Sequence, residues 1–452
     1  MNNHSERISD LTRGRPSSVI IRFCLPLLGT NMLQQFYNMA DTFIVGKGLG
    51  DHALAAVGNM SPLSYLIIGC CMGLANGFAI PVARCFGAKD PGKLRQFVAA
   101  SVILSAIIAA AATVFSVGFL RAILIKMQVA PEILSDSLRY GYFLFGGICI
   151  TMTYNLSSSI LRALGDSRTP LVAILISTVT NIFLDILLVL VIKTGVAGAA
   201  AATIFSQLLS SCICLRRLAR TPLVHPGRED FRLSSSVVAD LLRNGVPMAV
   251  MNSITAAGCM VVQTFINAMG VVYTAAYSVC VRFDNFFMQP AIAIGSALSA
   301  YTSQNYGAGR IDRIRSGVKV STLYALAVYL FFGTLMVIFP RQLASLMLTG
   351  EDAIALAMIF LPRCGLALVI VDLIFVFRPA CQGMGRSLVP MISGIAEMIM
   401  RVLVIVLFLP HYGFYAAAWA EIAAWGSAML MNTAAYILYI RTLESRKLPQ
   451  AP

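Results

Sequence analysis

The chain has 452 residues, of which 58% are hydrophobic and only 12% are charged, and its mean hydropathy is +0.79. Soluble domains average roughly 25% charged residues, so this composition excludes a water-soluble globular protein and predicts a membrane protein. The net charge of +14 does not indicate nucleic-acid binding, because the basic residues fall in short loops between apolar runs rather than on one solvated face. Residues 1–18 are polar and lack the apolar core of a signal peptide, so we expect the first span to direct insertion.

Twelve long apolar stretches follow one another with short polar connections. A stretch of about 20 apolar residues is long enough to cross a hydrocarbon core ~30 Å thick. The predicted spans are residues 19–46, 53–82, 96–124, 133–160, 170–192, 195–215, 240–268, 273–302, 317–340, 352–380, 387–409 and 412–440. The predicted domains are an N-terminal tail (1–18), an N-lobe (19–215), a linker at the chain's midpoint (216–239), a C-lobe (240–440) and a C-terminal tail (441–452). The linker divides six spans from six.

The distribution of Lys and Arg predicts the orientation. The two tails and the even-numbered loops contain 24 of these residues, whereas the odd-numbered loops contain 5. Short loops rich in Lys and Arg remain in the cytoplasm. We therefore expect both termini and the 216–239 linker to be cytoplasmic.

The two halves of the chain partly match each other at a nearly constant shift. FGAKDPGKLRQFV (86–98) aligns with YGAGRIDRIRSGV (306–318), and Pro26 aligns with Pro247. Each half has an even number of spans, so both copies enter the membrane in the same direction. Such parallel repeats are related by an axis along the membrane normal. The sequence therefore predicts an all-α membrane protein in which two pseudo-symmetric six-helix bundles face a central cleft.

Two aspartates lie within apolar spans of the N-lobe. Asp41 is in span 1 and Asp185 is in span 5, both in the outer half of their span. An ionised carboxylate at membrane depth costs at least ~2.5–3.5 kcal/mol, so we expect each to have a binding role. Asn181 precedes Asp185 by four residues and shares its helix face, Thr203 of span 6 is at a similar depth, and Tyr37 is one turn from Asp41.

The N-lobe group allows three interpretations. Asp41, Asn181, Asp185 and Thr203 offer only hard oxygen ligands, which suit a small hard cation such as Na⁺. The same carboxylates could carry a proton instead. In the third interpretation, each Asp only hydrogen-bonds neighbouring helices. We favour ion binding, because a purely structural contact rarely needs two ionisable groups.

The repeat alignment shows that these acids belong to one lobe. Asp41 aligns with Gln263, Asn181 with Arg401, and Asp185 with Ile405. A structural requirement of the bundle would have left acids in both copies. The difference therefore predicts a task assigned to the N-lobe alone.

The C-lobe spans carry charges of both signs. Glu397 and Arg401 are four residues apart and can pair on one helix face. Asp284 and Asp372 lie in other spans and could attract cationic substrates from the cleft, or could be neutralised by neighbouring arginines. Arg139 in span 4 could extend to the membrane surface or pair with an N-lobe Asp. The sequence leaves these alternatives open.

Several segments resemble the multidrug and toxic compound extrusion (MATE) family of antiporters. They are QQFYNMADTFIVG (34–46), FGAKDPGKLRQF (86–97), RALGDSRTP (162–170) and NIFLD (181–185), and the resemblance is strongest to bacterial MepA-like and DinF-like pumps. It implies that Asp41, Asn181, Asp185 and Thr203 form a site for Na⁺ or H⁺. It also implies a supporting tyrosine in span 4, matched by Tyr140, and it matches an aspartate of span 10 to Asp372.

The expected function is that of a secondary active multidrug efflux antiporter. It would export cationic or amphipathic organic compounds in exchange for H⁺ or Na⁺ by alternating access. We expect it to act as a monomer in the bacterial inner membrane. There it would contact lipids but no nucleic acid, and it would need no cofactor. The alternative is a lipid-linked oligosaccharide flippase of the same MOP superfamily, which would need a cleft rich in Arg and Lys. An enzyme is not expected, because the histidines are at helix ends or in loops. They are His4, His52, His225 and His411.

Overall fold

The computed structural model describes residues 9–127 and 129–445, and within them every regular element is helical. The remaining residues of the predicted tails, 1–8 and 446–452, lie outside the described part. The helices, in chain order, are α1 (Pro16–Leu49), α2 (Asp51–Gly87), α3 (Pro91–Lys126), α4 (Pro131–Gly146), α5 (Ile148–Ala163), α6 (Arg168–Asp185), α7 (Val196–Leu218), α8 (Ser235–Asn267), α9 (Val271–Phe287), α10 (Gln289–Gly307), α11 (Ile311–Ile338), α12 (Pro340–Ser345), α13 (Glu351–Gly383), α14 (Leu388–Tyr412) and α15 (Tyr415–Ser445). A π-helical turn, Ile186–Val191, follows α6, and two short 3₁₀ turns, Pro222–Val224 and Arg228–Phe231, lie between α7 and α8.

The membrane character of the chain is confirmed, with one difference in the number of spans. Among the described residues, nine helices are long and apolar enough to cross a membrane, and the bent pair α4–α5 would make a tenth. The twelve-span prediction also included the regions of α9–α10 and α15. The first is divided into helices of 17 and 19 residues, and the second contains polar residues that lower its hydropathy, among them the buried Glu421 and Asn432.

Two predicted spans are interrupted for identifiable reasons. Span 4 bends by 44° between α4 and α5, where Gly146 and Gly147 adjoin, and glycine pairs are a common cause of kinks. A Cβ on Gly147 would lie 2.2 Å from Cδ1 of Ile204, so this glycine also permits close approach of α7. Span 8 breaks at Met288, two residues before Pro290, whose missing N–H cannot continue the helical hydrogen bonds.

The chain forms two compact units. Among the described residues, unit 1 contains 9–10 and Gly29–Ala249, and unit 2 contains Leu11–Leu28 and 250–445. Both main boundaries fall inside helices, one in α1 and one in α8. Each boundary lies two residues after a proline within the helix, Pro26 in α1 and Pro247 in α8.

The duplication is also evident in the backbone of each unit. Gly165 and Gly385, which are repeat partners, both have positive φ angles, of 87° and 77°. Lys89 and Gly309 align within the matching loop segments and have φ angles of 55° and 70°. Left-handed backbone is uncommon for a residue such as Lys, so its recurrence at the repeat-related position indicates that the two copies share a loop geometry.

Small residues allow the helices within each unit to approach closely. In unit 1, a Cβ on Gly77 of α2 would lie 2.4 Å from the Cα of Gly245 in α8. In unit 2, a Cβ on Gly333 of α11 would lie 2.8 Å from the carbonyl oxygen of Gly365 in α13. Close backbone packing of this kind is typical of helices in membranes, where van der Waals contact contributes much of the association.

Candidate functional site

The predicted N-lobe residues meet inside unit 1, where four helices contribute to one group. Tyr37 and Asp41 lie one turn apart on α1, and Asn181 and Asp185 lie one turn apart at the end of α6. Thr203 of α7 lies beside the hydroxyl of Tyr37. Tyr140 of α4 is close enough for electrostatic interaction with both aspartates and with Tyr37. We call these six residues the acidic site.

The acidic site is shielded from solvent. Asn181 and Asp185 are 0% exposed, Tyr37, Tyr140 and Thr203 are also buried, and Asp41 is half-buried. The charges of Asp41 and Asp185 interact with each other. The site therefore concentrates two carboxylates in a region with little water to stabilise them.

Several side-chain polar atoms of the acidic site lack hydrogen-bond partners among the described residues. Both carboxylate oxygens of Asp185, Oδ1 of Asp41, both side-chain amide atoms of Asn181 and the hydroxyl of Tyr37 are buried without one. Buried polar atoms are paired in the great majority of proteins, and unpaired ones need an explanation. A set of unpaired oxygens around two carboxylates fits a proton or a small cation, either of which would neutralise charge and supply the missing bonds.

A change in helix type adjoins the site. Asp185 is the last α-helical residue of α6, and the π-helical turn Ile186–Val191 begins directly after it. π-Helical turns are rare and occur frequently at functional sites. The sequence offered no signal for this turn, because the run Ile186–Val191 is uniformly apolar.

The ligand set of the acidic site differs from that of a transition-metal centre. Among the residues that the structure describes, no three or more His, Cys, Asp or Glu side chains cluster in a way that could hold a metal ion. The acidic site combines two carboxylates with neutral oxygen atoms. Oxygen donors of this kind suit hard cations.

In unit 2, buried charges form a connected network. Arg401 donates to Glu421 at 2.8 Å and to Glu397 at 3.2 Å, and Arg378 donates to the other oxygen of Glu397 at 2.8 Å. The hydroxyl of Tyr277 donates to Glu421 at 3.3 Å. The predicted pairing of Glu397 with Arg401 is present, but its extension to Arg378, Glu421 and Tyr277 joins residues on other helices, which local spacing in the sequence does not reveal.

The other C-lobe candidates are not all part of this network. Asp284 interacts electrostatically with Glu421, yet its Oδ1 has no hydrogen-bond partner among the described side and main chains. Asp372 is 1% exposed, and neither of its carboxylate oxygens has a partner within the described residues. Gln263, the counterpart of Asp41, donates to Asn267 of its own helix at 2.7 Å.

Arg139 does not neutralise the acidic site. Its side chain is exposed, and it forms no ion pair with any residue in 9–127 or 129–445. Of the two alternatives for this arginine, pairing with an N-lobe Asp is therefore not observed. The acidic site has no fixed positive charge from this residue.

Comparison with known proteins shows relatives along most of the chain. A probable multidrug resistance protein of Bacillus subtilis, YoeA, is 28% identical over 74% of this chain and 74% of its own length. An FAD transporter of Shewanella oneidensis is 22% identical over 85% of this chain and 86% of its own length. A crystal structure of a MATE protein in complex with MaL6 superposes with a TM-score of 0.91 at 24% identity, covering 96% of this chain and 98% of that one. This likeness establishes the fold.

The MatE family model matches the chain twice, over residues 26–187 and 247–407. The two matches begin at the repeat partners Pro26 and Pro247, so the duplication seen within the sequence is confirmed. The two matched segments together cover well over half of the chain. The chain therefore belongs to the MatE family.

Proposed function

We propose that this protein is a secondary active multidrug efflux antiporter, which exports cationic or amphipathic organic compounds in exchange for H⁺ or Na⁺. Membership of the MatE family and the relative named as a multidrug resistance protein support multidrug efflux across a membrane. We further propose that export proceeds by alternating access, is driven by exchange for an ion, and prefers cationic compounds. The protein carries out transport without covalent chemistry or a cofactor.

The observation that carries the antiport proposal is the pair of buried carboxylates in the acidic site. Asp41 and Asp185 lie on different helices, interact electrostatically and have no partner for three of their four oxygens among the described residues. Binding of H⁺ or Na⁺ there removes the cost of buried charge, and release restores it. A site whose energy changes in this way can favour one conformation when filled and another when emptied, because a ligand shifts an equilibrium by its differential affinity.

The residues of the acidic site have distinct parts in this proposal. Asp41 and Asp185 supply the charge that the ion neutralises, and Asn181 and Thr203 supply neutral oxygens. Tyr37 and Tyr140 close the group on the sides of α1 and α4 and exclude water. Because unit 2 has Arg401 and Ile405 at the positions of Asn181 and Asp185, unit 2 has no copy of the acidic site.

We also propose that the protein works as a monomer in the bacterial inner membrane with both termini in the cytoplasm. The support for this orientation is the excess of Lys and Arg in the tails and even-numbered loops, 24 against 5. The relative from Bacillus subtilis supports a bacterial setting.

The test is transport by the purified protein in proteoliposomes, with a pH gradient and a Na⁺ gradient imposed separately. Asp41→Asn and Asp185→Asn should each reduce ion-driven transport of a fluorescent organic cation to the level of protein-free liposomes. Asp312→Asn, the same change at an exposed acid, is the matched control and should retain transport. Ion-driven transport by both site variants at the wild-type rate would contradict the proposal.

A second candidate function comes from the FAD transporter that matches this chain over 85% of its residues. FAD carries two phosphates, so its transport needs groups that accept an anion. The same proteoliposomes measure this directly. Ion-driven movement of FAD, without movement of the organic cation, would replace multidrug efflux by nucleotide transport. The flippase alternative would require movement of a lipid-linked sugar that is independent of Asp41 and Asp185.

A further inference from the structure

The repeat relates the acidic site of unit 1 to the charged network of unit 2. Asn181 aligns with Arg401. The segments 195–202 and 413–420 also align, and the next residue of each is Thr203 in the first copy and Glu421 in the second. Two residues of the proposed ion site are thus replaced in the second copy by a cation and an anion that bind each other.

Arg401 is held by two carboxylates, as a bound cation would be, while its Nη1 atom has no hydrogen-bond partner among the described residues. It is 2% exposed and is among the largest fully buried side chains described. Its Nε and Nη2 atoms donate to Oε2 of Glu421 at 3.2 and 2.8 Å, and Nη2 also donates to Oε1 of Glu397 at 3.2 Å. A glycine, Gly258, faces the guanidinium, and a Cβ there would lie 3.4 Å from Nη1.

Among the described residues, the buried carboxylates are unpaired in the acidic site of unit 1 but are paired with arginines in the network of unit 2. In unit 1, Asp41 and Asp185 form no ion pair with any described residue. In unit 2, Glu397 and Glu421 are matched by Arg378 and Arg401, with Arg378 held 2.8 Å from Glu397. Deleting the Arg401 guanidinium would leave Glu421 as a buried carboxylate whose remaining partner is the hydroxyl of Tyr277.

We propose that unit 2 retains a latent site for a small cation and that the guanidinium of Arg401 is its permanently tethered occupant. The comparison with an exchangeable ion in unit 1 rests on the proposed function. The tethered charge keeps the network of Arg378, Glu397, Arg401 and Glu421 neutral throughout the transport cycle, so an ion gradient does not act on this network. When the side chain of Arg401 is removed, the carboxylates of Glu421 and Glu397 bind a free monovalent cation. The guanidinium ion matches the geometry of this site best.

The experiment uses the full chain in a background that removes the acids of unit 1, Asp41→Asn with Asp185→Asn. Arg401→Ala is added, and the Tm of the detergent-solubilised protein is measured at one alkaline pH. The titrants are guanidinium at millimolar concentration, Na⁺ and, as a cation too large for the site, choline. Guanidinium or Na⁺ should raise the Tm of the Arg401→Ala protein by about 5–10 °C at a hundredfold excess over Kd, and choline should not.

Two matched variants in the same background complete the test. Arg401→Lys keeps a tethered charge, and Arg401→Ala with Glu421→Gln removes the carboxylate that needs a cation. Neither should respond to guanidinium or Na⁺. The proposal is overturned if Arg401→Ala melts at the same temperature in all three salts, or if no folded Arg401→Ala protein can be recovered in any of them.

This result is independent of the test of antiport. The measurement is a melting temperature in a protein that lacks Asp41 and Asp185, so it does not require transport. A failure of the proposed function would appear as unchanged transport by the Asp41 and Asp185 variants with Arg401 intact. The two failures are therefore distinguishable.

Discussion

Replacing Glu421 by glutamine should unfold unit 2 at a markedly lower temperature. The carboxylate of Glu421 accepts two hydrogen bonds from Arg401 and one from Tyr277. With glutamine, the buried Arg401 and the half-buried Arg378 share the single carboxylate of Glu397, and one positive charge is left without compensation. Removing one partner of a buried ion pair costs about 3–5 kcal/mol. For a unit of this size, each kcal/mol lowers Tm by roughly 2–4 °C, so the expected decrease is about 6–20 °C.

The double variant Arg401→Met with Glu421→Met tests whether uncompensated charge is the cause. It removes both charges and leaves Arg378 paired with Glu397 at 2.8 Å. Replacing a buried pair by apolar residues of similar volume is often neutral or stabilising. Its Tm should therefore be close to or above that of the wild type, although it changes more atoms than Glu421→Gln.

The measurement is thermal unfolding in detergent, followed by the fluorescence of a thiol-reactive dye or by size-exclusion recovery after heating. The control is Glu444→Gln, which breaks a pair with Arg315 at the surface, where a single pair contributes about 0–1 kcal/mol. The reasoning is refuted if Glu421→Gln melts with the wild type. It is equally refuted if the double variant is as unstable as Glu421→Gln.

Two further predictions concern the helices that carry the sites. Gly77→Ala should lower Tm, because its Cβ would lie 2.4 Å from the backbone of α8, at a cost of about 1–3 kcal/mol. Gly58→Ala on the same helix has open space and should leave Tm unchanged or raise it; equal effects of the two changes would argue against close packing at Gly77. Pro26→Ala and Pro247→Ala should each slow transport several-fold without lowering Tm, because proline within a helix costs about 3 kcal/mol and permits a bend. Pro62→Ala in α2 is the control, and unchanged transport rates for the first two variants would exclude bending at these positions from the cycle.

The general architecture was accessible from the sequence because it depends on local properties. Hydrophobic runs long enough to cross a membrane identify themselves by composition, and the duplication is visible as matching segments in the two halves. The breaks were harder to predict. The helix break at Met288 follows from the missing N–H of Pro290. The 44° bend at Gly147 also requires Ile204 of α7 to fill the space that this glycine leaves.

The candidate site was predictable only in part. The cost of charge in hydrocarbon singled out Asp41 and Asp185 one at a time, and helical spacing added Asn181. Their proximity to Tyr140, and the separation of Gln263 from the charged network of unit 2, depend on how the helices within each unit pack. The ion-binding role of the acidic site stays a prediction until transport is measured.

By itself, the sequence determined the helical membrane class, the repeat and the position of each buried charge along its span, since these follow from hydropathy and from spacing within one helix. Only the tertiary structure decided which charges are compensated. Arg401 is neutralised by Glu421, which lies on another helix, whereas Asp185 has no such partner among the described residues. The physical reason is that the energy of a buried charge depends on the atoms within a few ångströms of it, and side-chain packing between helices sets those distances.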